Sequence, residues 1–279
     1  MNYALTGLED KVAVVTGAGR MRSIGRQIAV ELARAGCDVV LTGTGRAPER
    51  RPEDEQAAGW NDIESVAEEI RSLGRRAVPV VADVSDPAQV DALLATTLAE
   101  FGRVDVVVNN AAASRGGDRG PLLELDVEDF DRVVRINLRG TFLMLKAFAT
   151  AMLDNEPDSH GQRGTVVNIS SIGGKQSGPG TGVYSASKAG VQSLTSTAAK
   201  ELGKDGIRVN ALCPGVTATS RLDDLSAEQW QAYVGANVPL GRVGDPLEVA
   251  HAAVFLASDQ AAWVTGQCWN VDGGQLTIR

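Results

Sequence analysis

Histidine and cysteine are scarce in this chain of 279 residues, which has two of the former and three of the latter. His160 and His251 lie far apart, and Cys37, Cys213 and Cys268 show no paired ligand spacing, which argues against a zinc site. Scattered cysteines of this kind are typical of a reducing compartment, where a buried thiol is an apolar packing residue. We therefore predict chemistry without a metal ion.

Long apolar runs and an excess of positive charge are also missing. No segment approaches the roughly 18 apolar residues of a membrane span, and residues 1–11 lack the basic and apolar regions of a signal peptide. We expect a cytoplasmic protein. The net charge of −8 disfavours a nucleic-acid partner. The length suits a single domain spanning residues 1–279, because no linker divides the chain.

Short β-branched runs alternate with longer amphipathic segments. The expected strands are residues 11–16, 38–42, 77–82, 104–109, 165–170 and 207–212. The expected helices are residues 24–35, 62–73, 87–101, 127–153 and 183–202. This alternation calls for an α/β fold, a doubly wound parallel sheet with helices on both faces. Residues 43–59, rich in Gly, Pro, Arg and Glu, predict a surface loop.

A glycine-rich turn follows the first expected strand and leads into the first expected helix. Its residues include Gly17, Gly19, Arg20, Ser23, Ile24 and Gly25. Glycines let the backbone approach a pyrophosphate, and the helix N-terminus offers N–H groups and the positive end of its dipole. An ordinary tight turn is the alternative, but the position in a βαβ unit favours a dinucleotide site.

The end of the second strand indicates which dinucleotide is preferred. An NAD site usually has an acidic residue there, whereas the 2′-phosphate of NADP needs a cation. The strand ends in Gly43, Thr44, Gly45 and Arg46, without a carboxylate. Arg20 and Arg46 could bind the 2′-phosphate together, or they could be solvated charges. We predict NADP(H) in preference to NAD(H), with NAD(H) as the open alternative.

Tyr184 and Lys188 lie four residues apart on an expected helix and therefore share a face. An ammonium group beside a phenol favours the ionised phenol, which makes a tyrosine usable as a general acid and base. Ser171 follows an expected strand and could hydrogen-bond a substrate oxygen as charge develops there. A Tyr–Lys pair alone is a common accident, but with the glycine turn, Ser171 and Asn137 it indicates a catalytic site.

These motifs resemble those of the short-chain dehydrogenase/reductase family over nearly the whole chain. The resemblance implies a catalytic group of Asn137, Ser171, Tyr184 and Lys188. Further cofactor contacts that it implies come from Asp83, Val84, Asn110, Ala111, Ala112, Pro214, Gly215, Val216 and Thr219, besides Thr44 and the turn. The implied fold is a single Rossmann-type doubly wound sheet of about seven strands, in the order 3-2-1-4-5-6-7.

The resemblance also implies a reaction. Hydride would pass between nicotinamide and a carbonyl or secondary alcohol, with a 3-oxoacyl thioester or a hydrophobic ketone as the substrate. Tyr184 would transfer the proton, Lys188 would hold the ribose, and Asn137 would anchor a water molecule. The implied assembly is a homotetramer or homodimer.

Two departures from the family pattern affect the choice of reaction. The glycine turn is two residues longer than usual, with Ser23 where a glycine is expected, and Ala112 replaces another glycine. A Ser-Ile pair in a lengthened turn also resembles the enoyl reductases, but their Tyr and Lys lie about two helical turns apart, so the present spacing favours carbonyl chemistry.

An NAD-dependent alcohol dehydrogenase is a second possible function, and a non-catalytic cofactor-sensing protein is a third. Intact Ser171, Tyr184 and Lys188 argue against the cofactor-sensing protein.

By the same resemblance, residues 217–240 are expected to form a lid over the substrate. Its apolar residues are Leu222, Leu225, Trp230, Tyr233 and Val234. They could line an apolar pocket or pack the lid on the body. In the loop of residues 114–120, Arg115 and Arg119 could attract an acidic substrate or a carrier phosphate, but solvated charge is the preferred interpretation.

Overall fold

Seven parallel strands form one sheet in this computed structural model, which describes residues 5–223 and 226–277. The strands are β1 (Val12–Thr16), β2 (Asp38–Gly43), β3 (Ala77–Val81), β4 (Val106–Asn109), β5 (Gly164–Ile169), β6 (Ile207–Pro214) and β7 (Cys268–Val271). Their order is β3-β2-β1-β4-β5-β6-β7. In the register, Val14 lies beside Val40 on one side and Val107 on the other. The doubly wound Rossmann-type fold and its strand order are confirmed.

Helices cover both faces of this sheet. They are α1 (Ile24–Arg34), α2 (Glu53–Ala57), α3 (Ile63–Ser72), α4 (Pro87–Phe101), α5 (Val127–Val134), α6 (Gly140–Met152), α7 (Gly182–Leu202), α8 (Ala227–Asn237) and α9 (Pro246–Ala257). Side chains alternate along a strand, so Ala13 and Val15 pack with α1, α3 and α9, whereas Val14 packs with α4, α6 and α7. Among the described residues no helix is long and apolar enough to cross a bilayer.

Polar caps fix where the helices begin. Ser23 caps α1 by accepting a hydrogen bond from a first-turn amide. Asp86 and Asp245 cap α4 and α9 in the same way, each followed by a proline at the first helical position. The glycine turn therefore passes directly into a helix, as the sequence predicts.

The structure differs from the sequence expectations in two segments. The predicted helix of residues 127–153 is interrupted by a π turn at Arg135–Arg139, which separates α5 from α6. The predicted surface loop of residues 43–59 contains α2, and Glu55 within it is 1% exposed. That expectation is wrong for Glu55 because a single helical turn is too short to show a periodic pattern. Periodicity also does not predict α9 or the short edge strand β7.

Candidate active site

The glycine turn between β1 and α1 is crowded by the segment that follows β4. A Cβ atom added to Gly17, whose φ is +66°, would lie 2.8 Å from the Ala111 Cα, and one added to Gly25 would lie 2.4 Å from Asn110 Nδ2. The amides of Ile24 and Gly25 begin α1, where main-chain N–H groups have no intrahelical partner. This tight turn against a helix N-terminus fits a dinucleotide pyrophosphate.

Asn110 holds the turn in place. Its Nδ2 donates to the carbonyls of Thr16 and Gly17, both at 2.9 Å. The Thr16 hydroxyl in turn accepts from the amides of Asn110 and Ala111, both at 3.0 Å. The side chain of Asn110 therefore binds the glycine turn itself.

A buried ion-pair cluster lies at the carboxyl end of β2. Arg46 Nε is 3.4 Å from Asp62 Oδ2, and Arg46 Nη1 approaches Glu55 Oε2 to 2.9 Å without the alignment of a hydrogen bond. The side chains of Arg46, Glu55 and Asp62 are 15%, 2% and 8% exposed. The expectation that no carboxylate stands at this end of the sheet is therefore wrong. Asp62 lies 16 residues beyond Arg46, and only the fold of the intervening segment brings it there.

The same segment is fastened to the glycine turn, and Asp62 lies directly against it. A Cβ atom on Gly19 would be 1.5 Å from Asp62 Oδ1. Trp60 Nε1 donates to the Gly19 carbonyl at 2.7 Å, and the Met21 amide donates to Glu55 Oε1 at 2.9 Å. Residues 45–62, which we call the inserted segment, thus lie along one side of the predicted dinucleotide site.

Arg20 is the second arginine predicted to bind the 2′-phosphate. Its Nη1 donates to Ser220 Oγ at 3.3 Å, and no ion pair to it occurs among the described residues. Burial lowers the pKa of Arg20, and the neighbouring charge of Arg46 lowers it further. Of the two arginines predicted to bind a 2′-phosphate, Arg46 is already paired with carboxylates, and Arg20 is not.

The remaining predicted cofactor residues lie beyond the carboxyl ends of β2, β3, β4 and β6. Asp83 Oδ1 accepts from the amide and hydroxyl of Ser85, at 2.8 and 2.7 Å, so its carboxylate is engaged in its own turn. Val84 is buried, whereas Thr44 and Ala112 are exposed. Pro214 is the last residue of β6, and Gly215, Val216 and Thr219 follow it. Thr219 Oγ1 accepts a hydrogen bond from the amide of Arg221 at 3.3 Å.

The four predicted catalytic residues come together around the start of α7. A Cβ atom on Gly173 would be 3.3 Å from Ser171 Oγ and 3.5 Å from Tyr184 Cε1, so both side chains lie beside Gly173. Lys188 Nζ lies 6.0 Å from the centre of the Tyr184 ring. Asn137, in the π turn, donates from Nδ2 to Ser187 Oγ on α7 at 3.0 Å.

Lys188 is buried beneath the tyrosine. Its side chain is enclosed, and Nζ donates to the Ile169 carbonyl at 2.7 Å. Burial lowers the pKa of Lys188 to about 7, and the positive charge of Arg221 acts in the same direction. An amine with this pKa can gain or lose a proton near neutral pH.

Two arginines lie over the ring of Tyr184, the predicted catalytic tyrosine. The guanidinium carbons of Arg119 and Arg221 lie 4.8 and 5.4 Å from the centre of the Tyr184 ring. The preferred interpretation of Arg119 as a solvated loop charge is therefore wrong, because the loop folds back onto α7. Arg221 was not predicted at all, and no spacing in the sequence connects it with residue 184.

The expected lid contains α8. The Trp230 ring packs edge-on against Tyr233, with centroids 5.7 Å apart, and Trp230 Nε1 donates to the Leu222 carbonyl at 2.7 Å. Val234 on the same face is 4% exposed. These contacts favour the packing interpretation of that face. Leu225 lies outside the described residues.

Known proteins share this fold and these motifs. A family model described as enoyl-(acyl carrier protein) reductase matches residues 17–275. The chain is 40% identical to a 3-oxoacyl-[acyl-carrier-protein] reductase of Synechocystis sp., covering 98% of this chain and 99% of that protein. It is 37% identical to an L-rhamnose 1-dehydrogenase (NAD(P)(+)) of Sphingomonas sp., covering 96% of each. A solved 7α-hydroxysteroid dehydrogenase, complexed with NADH and 7-oxo glycochenodeoxycholic acid, has a TM-score of 0.82 at 30% identity, covering 96% of this chain and 94% of that one.

The chain therefore belongs to the short-chain dehydrogenase/reductase family. It is an NAD(P)-dependent oxidoreductase that acts on CH–OH or carbonyl groups. Within the family it is similar to the 3-oxoacyl-[acyl-carrier-protein] reductases.

Proposed function

We propose that this chain transfers hydride reversibly between a nicotinamide dinucleotide and a carbonyl or secondary-alcohol carbon, with a 3-oxoacyl thioester or a hydrophobic ketone as the first substrate to test. The observation that carries the proposal is that Ser171 and Tyr184 both lie beside Gly173, with the enclosed Nζ of Lys188 6.0 Å from the centre of the tyrosine ring. Four-residue spacing of Tyr184 and Lys188 favours carbonyl over enoyl chemistry.

Different residues bind the substrate oxygen, transfer the proton and position the site. The dinucleotide, when bound, supplies the hydride for reduction or accepts it in oxidation. The hydroxyls of Ser171 and Tyr184 hydrogen-bond the substrate oxygen, and Tyr184 gives that oxygen a proton as the carbon gains hydride. Lys188 would hold the ribose hydroxyls of the bound dinucleotide. Asn137 is joined to α7 by its hydrogen bond to Ser187. We also propose that Asn137 anchors a water molecule.

The test is cofactor oxidation at 340 nm over a panel of 3-oxoacyl thioesters, ketones and enoyl thioesters. We expect turnover of a carbonyl compound, and a Tyr184→Phe variant that binds cofactor but loses about 1,000-fold or more in kcat. The matched control is Tyr233→Phe in the lid, which should keep its activity. Full activity of Tyr184→Phe would refute the mechanism. Cofactor binding without turnover of any compound would favour a cofactor-sensing protein.

Cofactor preference is a separate part of the proposal. The predicted NADP(H) preference is supported by Arg20, which has no carboxylate partner among the described residues. NAD(H) is a second candidate, favoured by the carboxylate of Asp62 at the carboxyl end of β2. Arg20 and Arg46 are balanced in charge by Glu55 and Asp62, so the region lacks the surplus of positive charge that suits a 2′-phosphate.

Asp62→Asn distinguishes these candidates, with affinities measured by fluorescence titration and by turnover. If Asp62 binds the ribose, the ratio of NADPH to NADH affinity should rise about tenfold in the variant. The control is Asp54→Asn in the same segment. A wild type that strongly prefers NADPH, with a ratio unchanged by Asp62→Asn, would establish the NADP(H) prediction instead.

The homotetramer expected from the family also belongs to this proposal, with a homodimer as the smaller alternative. Apolar side chains on α5 and α6 support it, since Val127 is 68% exposed and Phe130 and Phe142 are each 44% exposed. Light scattering should report an oligomer, and Phe130→Glu with Phe142→Glu should shift it to smaller species.

We propose a cytoplasmic location on the cysteine pattern described above.

A further inference from the structure

The loop of residues 114–120 and the turn of residues 220–222 are joined above the active site. Arg221 Nη1 donates to the Ala113 carbonyl at 2.7 Å, and Arg221 Nη2 donates to Asp118 Oδ2 at 3.3 Å. The Gly120 amide donates to the Gly180 carbonyl at 3.1 Å, which ties the loop to the residues just before α7. These contacts hold two guanidinium groups at the face of Tyr184.

Positive charge exceeds negative charge at this point. The buried carboxylate of Asp118 lies 3.8 Å from Arg119 and 3.3 Å from Arg221, so one carboxylate serves two guanidiniums. Each arginine side chain is still 32% exposed. Lys188 adds a titratable amine below. The site therefore carries at least one cation that the described residues do not neutralise.

Arg119 is less well paired than Arg221. Its Nε is buried without a hydrogen-bond partner among the described residues. Burial lowers the pKa of Arg119 and the nearby Asp118 opposes this, while the charges of Arg115 and Arg221 lower it further. A cation–π contact with Tyr184 returns only about 1 kcal/mol. An anion placed between Arg119 and Arg221 would offset the cost of burying Arg119 and reduce the repulsion between the two arginines.

We propose that Arg119 and Arg221 bind an anionic group of the substrate, a carboxylate or a phosphate, that lies within a few bonds of the reacting carbonyl carbon. The inference rests on the proposed function, because it assigns a substrate class to the same site. Guanidinium groups pair with such anions through two parallel hydrogen bonds. Both guanidiniums lie over the ring whose hydroxyl meets the carbonyl oxygen, so the anion and the carbonyl belong to one small molecule. Short 2-oxo and 3-oxo acids have this form.

The test compares each short oxo acid with its own methyl ester, which keeps the carbonyl and removes the charge. For the wild type we expect kcat/KM to favour the acid by about tenfold to 100-fold, the range for a charged hydrogen-bonded pair. Arg119→Gln should bring the kcat/KM ratio of acid to ester close to one, while Arg119→Lys should restore part of the preference for the acid. Arg34→Gln, at the exposed last residue of α1, is the charge-matched control and should leave the ratio of acid to ester unchanged. A phosphorylated hydroxyketone, compared with its unphosphorylated form, decides between carboxylate and phosphate.

A binding measurement needs no turnover. Calorimetry with malonate and with inorganic phosphate should show binding that weakens about tenfold in Arg119→Gln. Equal kcat/KM for acid and ester in the wild type, or malonate and phosphate affinities unaffected by Arg119→Gln, would overturn the proposal while leaving hydride transfer intact. Arginine-dependent malonate binding in a protein that turns over no carbonyl compound would support the anion site and refute the proposed function instead.

Discussion

Replacing Lys188 by methionine should make the protein more stable at neutral and acidic pH, although the variant loses the proposed catalytic amine. The side chain is enclosed, and its Nζ has one hydrogen bond, to the Ile169 carbonyl. Methionine has a similar length and carries no charge, so it removes the cost of burying an ammonium group.

The magnitude follows from the pKa. The pKa of Lys188 is about 7 in the folded protein, against an ordinary value of 10.5. This difference destabilises the folded state by at most about 5 kcal/mol, and the full amount applies below pH 7, where both states hold the proton. Losing the hydrogen bond to Ile169 costs about 1–2 kcal/mol. The net gain for Lys188→Met is therefore about 3 kcal/mol below pH 7.

The sign of the pH dependence is fixed by the lowered pKa. Between pH 7 and 10.5 the unfolded state binds more protons than the folded state, so the wild type gains stability as the pH rises. The advantage of Lys188→Met should shrink by about 1.4 kcal/mol per pH unit in this range and approach zero near pH 9.

Urea unfolding of wild type and variant at equal protein concentration, from pH 6 to pH 9, measures this difference. Lys204→Met, at an exposed turn, is the control and should show a small difference that does not change with pH. A difference for Lys188→Met that is constant across the range, or that grows as the pH rises, would refute the reasoning.

Three further predictions concern the cofactor end of the site. Gly19→Ala should lower the free energy of unfolding, measured in urea, by about 2–3 kcal/mol because the new Cβ collides with Asp62. Adding Asp62→Gly should recover at least half of that loss, since the φ of +53° at residue 62 suits glycine. No recovery would mean that another contact is responsible. Arg46→Met should lower stability by about 3–5 kcal/mol in the same measurement, because it leaves buried Glu55 without its cation; a neutral effect would contradict the ion-pair assignment. Asn110→Ala should fold but weaken NADH binding at least about tenfold in a fluorescence titration, because two carbonyls of the turn lose their donor; unchanged binding would exclude the positioning role.

The sequence predicted those features that depend on neighbours along the chain. Alternation of β-branched and amphipathic segments reveals the fold because each strand and helix carries its own pattern. Tyr184 and Lys188 are visible as a pair because four residues make about one helical turn. The glycine turn is visible for the same local reason.

Features that depend on distant segments were not predictable in this way. Asp62 reaches the end of β2 only because the inserted segment folds back, and its carboxylate carries no local signal. Arg119 and Arg221 are 102 positions apart in the sequence, and the shared partner Asp118 brings them together. Charge pairing across loops has no period, so a charged loop residue and a substrate-binding residue look alike in sequence.

The contacts between the glycine turn and the inserted segment make these two parts exchangeable only as a pair. The turn is held by Trp60 and Glu55, and Arg22 of the turn pairs with Asp54 at 2.7 Å. A chimera that moves the long turn into a relative without residues 45–62 would leave the Met21 amide without its acceptor and Arg22 without one of its two carboxylates. Recombination between family members should therefore preserve both parts or neither, and cofactor preference should be inherited with that block.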